Sequence, residues 1–137
     1  MGDWALNQTV PVILVVEDDD LLQTIVEEAL SGGGFETAIA PSGEEAVALL
    51  NGHKGKYRAL VTDINLRGKM EGWEVAQHAR EIEADFPVVY MSGQSADEWT
   101  VKGVPNSIML AKPFAAAQLV TALSNLLNSG TPTNALG

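Results

Sequence analysis

The 137-residue chain contains no cysteine. Disulfides, a thiol nucleophile and cysteine zinc ligands are therefore excluded, which suits a reducing compartment. Positive charge is scarce: 8 Lys and Arg stand against 18 Asp and Glu, for a formal net charge of −10. Such a chain repels nucleic-acid phosphates and anionic membrane surfaces, so neither is expected as a partner. No apolar run approaches the roughly 18 residues needed to span a bilayer. The opening MGDWALNQTV has no basic n-region followed by a long apolar stretch, as a signal peptide would. Leu6 also stands where a myristoylation motif needs Ser or Thr. The expectation is a soluble, cytoplasmic, single-domain protein, with 1–9 a disordered leader, 10–128 the domain and 129–137 a disordered tail.

The hydrophobic content, 46%, is enough for a real core. It is distributed as short apolar runs: Val12–Val16, Phe35–Ala40, Arg58–Thr62, Pro87–Met91 and Ser107–Leu110. Three of them are nearly continuous, as strands covered on both faces are. Segments of helical period lie between. Leu21, Leu22, Ile25, Val26, Ala29 and Leu30 form one apolar face, closed by the glycines of Ser31–Gly34. Ser42 with Glu45 three residues on opens a second helix with a capping box. Val75, Ala76, Ala79 and Ile82 mark a third, Ala96 to about Lys102 a short fourth, and Leu119, Val120, Leu123, Leu126 and Leu127 the last. Five strand-then-helix units with right-handed crossovers give a (βα)5 α/β fold: a doubly wound, five-stranded parallel sheet of flavodoxin-like type, with helices on both faces. Ligands of such sheets bind beyond the carboxyl ends of the strands.

The residues found there carry the chemistry. Glu17 to Asp20 follow the first strand, Asp63 the third, Ser92 and Gly93 the fourth, and Lys112 and Pro113 the fifth. Carboxylates converging from separate loops repel unless a cation joins them. Oxygen donors without His or Cys select Mg²⁺ or a similar hard ion, which keeps open positions for a substrate phosphate. Asp63 is then the candidate nucleophile, forming an acyl phosphate. Ser92 and Lys112 are candidates to meet phosphoryl oxygens, helped by backbone N–H groups near Asn65 and Gly93. Asp19 and Asp20 read better as helix N-terminal acids. His53 and His78 read as solvated surface, and Trp73 as packing near the start of its helix. Trp99, in the short fourth helix, reads equally as core or as part of a changing surface.

The motifs ILVVEDD (Ile13–Asp19), VTDINL (Val61–Leu66), EGWEVA (Glu71–Ala76), YMSG (Tyr90–Gly93) and AKPF (Ala111–Phe114) occur in this order, each at a strand end or helix start. Over about residues 10–128 the chain resembles the receiver domains of two-component response regulators, of the stand-alone type. The resemblance implies that Asp63 is the phosphoacceptor. It implies that Asp18 binds Mg²⁺ directly, that Glu17 acts through water, and that Asn65 donates its backbone carbonyl to the ion. Ser92 would follow the phosphoryl group, and Lys112 would precede a cis proline bond. The partners implied are a histidine kinase or histidine phosphotransfer protein and a downstream protein target. The chain itself would be a monomer or weak homodimer. It would be no enzyme in the ordinary sense, but a signalling protein that catalyses its own phosphorylation and dephosphorylation. Two departures stand out. Met109 occupies the place of a rotating Tyr or Phe and fills space flexibly instead. LRGKMEG (Leu66–Gly72) replaces a form close to MPGMDG, with two basic residues and no proline. A second reading is a receiver-like interaction module not switched by phosphorylation. A flavin mononucleotide binder would want hydroxyls where Glu17–Asp20 stand, and an aspartyl phosphatase would want an acid at Asn65.

Overall fold

The computed structural model describes residues 10–94 and 96–129. The expected leader, 1–9, and all but the first residue of the expected tail lie outside them. The elements are β1 (Val12–Val16), α1 (Asp20–Gly32), β2 (Glu36–Ala40), α2 (Gly43–Gly52), β3 (Tyr57–Asp63), α3 (Gly72–Ile82), β4 (Val88–Ser92), a 3₁₀ turn (Ala96–Glu98) leading into α4 (Trp99–Lys102), β5 (Ile108–Ala111) and α5 (Ala116–Ser129). All strand pairs are parallel, in the order β2-β1-β3-β4-β5. The doubly wound sheet expected from the alternating pattern is thus present. Among the described residues no helix is long and apolar enough to cross a membrane.

Alternate strand residues serve opposite faces, because successive side chains point to opposite sides of a sheet. Leu14, Val16, Leu60, Val88 and Tyr90 pack with Leu50 of α2 and Trp73, Val75, Ala76 and Ala79 of α3. Ile13, Val15, Ala59, Val61, Val89 and Met91 pack with Val26 and Leu30 of α1 and Leu119 and Leu123 of α5. Both faces are covered, so the central strands tolerate their continuous apolar runs.

The helix ends show where local chemistry was readable. Asp19 caps α1, its side chain accepting the Leu22 N–H at 3.1 Å. Ser42 caps α2 by accepting the Glu45 N–H at 3.1 Å. A capping box closes at Glu71 and Glu74, with the Glu71 N–H donating to Glu74 Oε1 at 3.0 Å. α1 runs through Ser31 and Gly32, and the left-handed residue is Gly34, at φ 92°, after the Gly33 cap. Asp63 and Ser92 are the last residues of their strands, each still in ladder register, with Met91 and Ala111 respectively.

Gly72 fixes how α3 leaves the sheet. A Cβ there would stand 2.2 Å from the Asp63 carbonyl oxygen and 3.0 Å from the Ile64 Cα. Both are backbone atoms, so neither can rotate away. The close approach lets the Gly72 N–H donate to the Ile64 carbonyl at 2.9 Å. Gly72→Ala is expected to destabilise the fold by about 1–3 kcal/mol, the usual range for overpacking a tight site. Urea unfolding with an unchanged midpoint would contradict the steric account.

Candidate functional site

The strand order reverses between β1 and β3, and the chemistry-bearing residues gather beyond their carboxyl ends. Glu17 follows β1 directly. Its N–H donates to the Ala40 carbonyl at 3.1 Å, and its own carbonyl accepts from Gln23 Nε2 at 2.6 Å. These bonds hold its side chain inside, at 1% exposure, where Oε2 accepts the Asp19 N–H at 3.2 Å. Asp18 turns toward the loop after β3: Oδ2 accepts the Arg67 N–H at 2.9 Å and lies 3.6 Å from Arg67 Nε. Asp63 is buried beside them, at 6% exposure. One carboxylate oxygen from each of Glu17, Asp18 and Asp63 lies within 4.8 Å of the others.

Lys112 answers this crowding from the far side. Its Nζ is 3.3 Å from Asp63 Oδ2 and 3.4 Å from Glu17 Oε1. Its backbone N–H donates to the Ser92 carbonyl at 2.8 Å, which ties the lysine to the end of β4, and its bond to Pro113 is cis. Ser92 is buried, and its Oγ accepts the Gln94 N–H at 3.1 Å. The structure therefore brings Glu17, Asp18, Asp63 and Lys112 into one cluster and places Ser92 on the same sheet edge. Asn65 contributes a backbone hydrogen bond to the Asp63 carboxylate. His53 caps the end of α2 on the surface, and His78 pairs with Glu81 at 3.5 Å on α3; neither belongs to the cluster. Arg67 is the site residue that sequence reasoning missed. It is 49 positions from Asp18, and only its charge hinted at such a contact.

Burial pushes the Glu17 carboxyl up to about 7, repulsion from Asp63 adds to the rise, and Lys112 opposes it. Asp63 is raised for the same first reason. Lys112, by charge and hydrogen bond, and the Asn65 N–H favour its ionised form, while Asp18 works against it. Three carboxylates outnumber Lys112 and the exposed Arg67, which leaves a net negative, oxygen-lined cluster. That donor set fits Mg²⁺, a hard cation bound by oxygen at short distances. A bound ion would supply the missing positive charge, with Glu17, Asp18 and Asp63 as the side chains able to hold it.

The family described as response regulator receiver domain matches residues 13–124. A response regulator receiver protein from Sinorhizobium medicae is 42% identical, with a TM-score of 0.85 over 88% of this chain and 96% of that one. The transcriptional regulatory protein PrrA of Mycobacterium tuberculosis is 35% identical over 121 residues, 87% of this chain and 51% of PrrA. The chain thus spans about half the length of the curated relatives it matches. The receiver domain of the Pseudomonas aeruginosa sensor histidine kinase PA1611, solved with a magnesium ion coordinated in its active-site cleft, shares the fold at a TM-score of 0.74 and 24% identity.

Protonated Glu17 is favoured by the folded state, since its value rises from 4.5 to about 7. Its contribution to stability is complete below about 4.5 and is lost as pH rises through about 7. In chelator, Glu17→Gln is expected to flatten the fall in thermal midpoint that the wild type shows between these values. Parallel pH profiles for the two proteins would remove Glu17 as the source.

Proposed function

The chain belongs to the response regulator receiver domain family, and from that premise we propose that it accepts a phosphoryl group on Asp63 from a phosphohistidine of a partner kinase or phosphotransfer protein. The observation that supports this most is the meeting of three carboxylates, two after β1 and one at the end of β3, with the Lys112 ammonium at the point where the strand order reverses. Mg²⁺ held by Glu17, Asp18, Asp63 and the Asn65 carbonyl would neutralise charge on the transferring group. Positioning and charge stabilisation supply most of the catalysis in such transfers.

Asp63 attacks phosphorus through a carboxylate oxygen. The new O–P bond forms as the N–P bond to the donor imidazole breaks, and the imidazole leaves with the bonding pair. Lys112 and the Asn65 N–H favour the ionised form of Asp63 that this step uses, partly offsetting the upward shift that burial imposes. Lys112 then exchanges a carboxylate oxygen for a phosphoryl oxygen, and the Ser92 hydroxyl donates to another. Because the Lys112 N–H is bonded to the Ser92 carbonyl, the two responses are coupled through backbone. The shift would bias α4, β5 and α5 and change which protein partner they contact. Beside Glu17 and Lys112 lies a cavity of about 380 Å³ lined by Leu22, Ile25, Val26, Met91, Pro113 and Phe114. With Leu21 and Ile25 exposed on α1, it offers an apolar seat for the donor protein.

Incubation with Mg²⁺ and a small phosphodonor should add one alkali-labile phosphoryl group to the wild type and none to Asp63→Asn, read by intact mass. An unlabelled wild type would favour a receiver-like module that binds its partner constitutively. Lys112→Ala should still take the label. Its NMR spectrum around α4 and β5 should change far less on phosphorylation than that of the wild type, and an equal change would remove Lys112 from the switching role.

A further inference from the structure

The loop after β3 holds two basic residues, and the fold treats them differently. Arg67 directs both its backbone N–H and its Nε at Asp18 Oδ2, at 2.9 and 3.6 Å. Its side chain is 84% exposed, while that of Asp18 is 16% exposed. The Lys69 N–H goes instead to Glu44 Oε2, at 3.3 Å, away from the cluster. So one cation of the pair is stationed on a carboxylate that also belongs to the candidate metal cluster.

The two Arg67 contacts do different jobs. The backbone N–H, at hydrogen-bonding distance, aims the Asp18 carboxylate and survives any change of side chain. The guanidinium adds little to that aim at 3.6 Å, but it carries a full positive charge. A dication entering the cluster meets that charge, and Asp18 cannot serve both cations fully.

We infer that the Arg67 guanidinium is a resident counter-ion of Asp18 that competes with a divalent cation, and so holds the Mg²⁺ affinity of the site below what its carboxylates alone would give. The inference rests on the Mg²⁺ reading of the cluster. Arg67 is a positioning and tuning residue here, not a catalytic one. Its exposure also sets the size of the effect: ion pairs with one solvated partner are weak and screened by salt. The competition is therefore modest, greatest at low ionic strength, and specific to Arg67 over its neighbour Lys69.

Calorimetric Mg²⁺ titration of the full chain at low and high salt tests this without any phosphotransfer. At low salt Arg67→Ala and Arg67→Gln are expected to bind Mg²⁺ about 2–5-fold tighter than wild type, as loss of a weak ion pair implies. The gain should shrink at high salt, and Lys69→Ala should show a clearly smaller one. An Arg67 variant with unchanged or weaker affinity overturns the inference, and so does a Lys69→Ala gain equal to that of Arg67→Ala, which would reduce the effect to net charge. Both results leave the metal site itself standing. A wild type that binds no Mg²⁺, or binds it equally well after Asp18→Ala, removes the metal reading and this inference together.

Discussion

The site depends on crowded negative charge at the rim of an apolar sheet. Glu17 and Asp63 are nearly inaccessible, and each stands at or just past the end of a strand most of whose residues are buried. Burial penalises both carboxylates, and each raises the cost of ionising its neighbours. The lysine cation within ion-pair distance of both is Lys112, which comes from the far end of the chain. The topology makes this meeting possible: β3 lies beside β1, and β4 carries the Ser92 carbonyl to which the lysine backbone is bonded. A group that balances charge here serves the fold and the chemistry at once.

That arrangement also explains why the loops are held so firmly. Gln23 binds the Glu17 carbonyl, the Arg67 N–H binds Asp18, and Thr62 Oγ1 donates to the Asp63 carbonyl at 2.8 Å. Gly72 presses against that same carbonyl, so α3 is seated on the residue proposed to react. The Arg67 bond restrains a carboxylate directly, and the others fix the backbone that carries Glu17 and Asp63. Such restraint suits the proposed binding of a cation and a phosphate, since a preorganised site needs little rearrangement.

Much of this was legible in the residue order. Continuous apolar runs betrayed the buried strands, and once the strands were placed, Glu17, Asp18, Asp63, Ser92 and Lys112 fell on one edge. Caps built from near neighbours, Asp19 to Leu22 and Ser42 to Glu45, were legible for the same local reason. Contacts set by tertiary approach were not. Nothing in the spacing joins Arg67 to Asp18, and Glu71 as a helix cap is an uncommon choice that the usual Ser, Thr, Asp or Asn signal overlooks. The apolar pattern ends β3 and β4 one residue short of Asp63 and Ser92, because a polar residue looks like the start of a loop even while its backbone stays in the ladder.

Met109 stands beside a buried aromatic. Its register partner on β4 is Tyr90, a fully buried aromatic that packs on Trp73 with ring centroids 4.8 Å apart. The Tyr90 hydroxyl accepts the Val104 N–H at 3.0 Å; Ser107 Oγ donates to the Val104 carbonyl at 2.6 Å and accepts from Trp99 Nε1 at 2.9 Å. Gly103 permits this, since a Cβ there would collide with the Trp99 ring. Trp99, half-buried, is thus both packing and polar anchor, which is the core reading of the two its sequence position allowed. Tyr90 lies two residues before Ser92 on the same strand, so the candidate site and α4 are joined by a packed aromatic and a short chain of hydrogen bonds. Beside that chain stands Met109, an unbranched side chain that packs adaptably where a ring would be rigid.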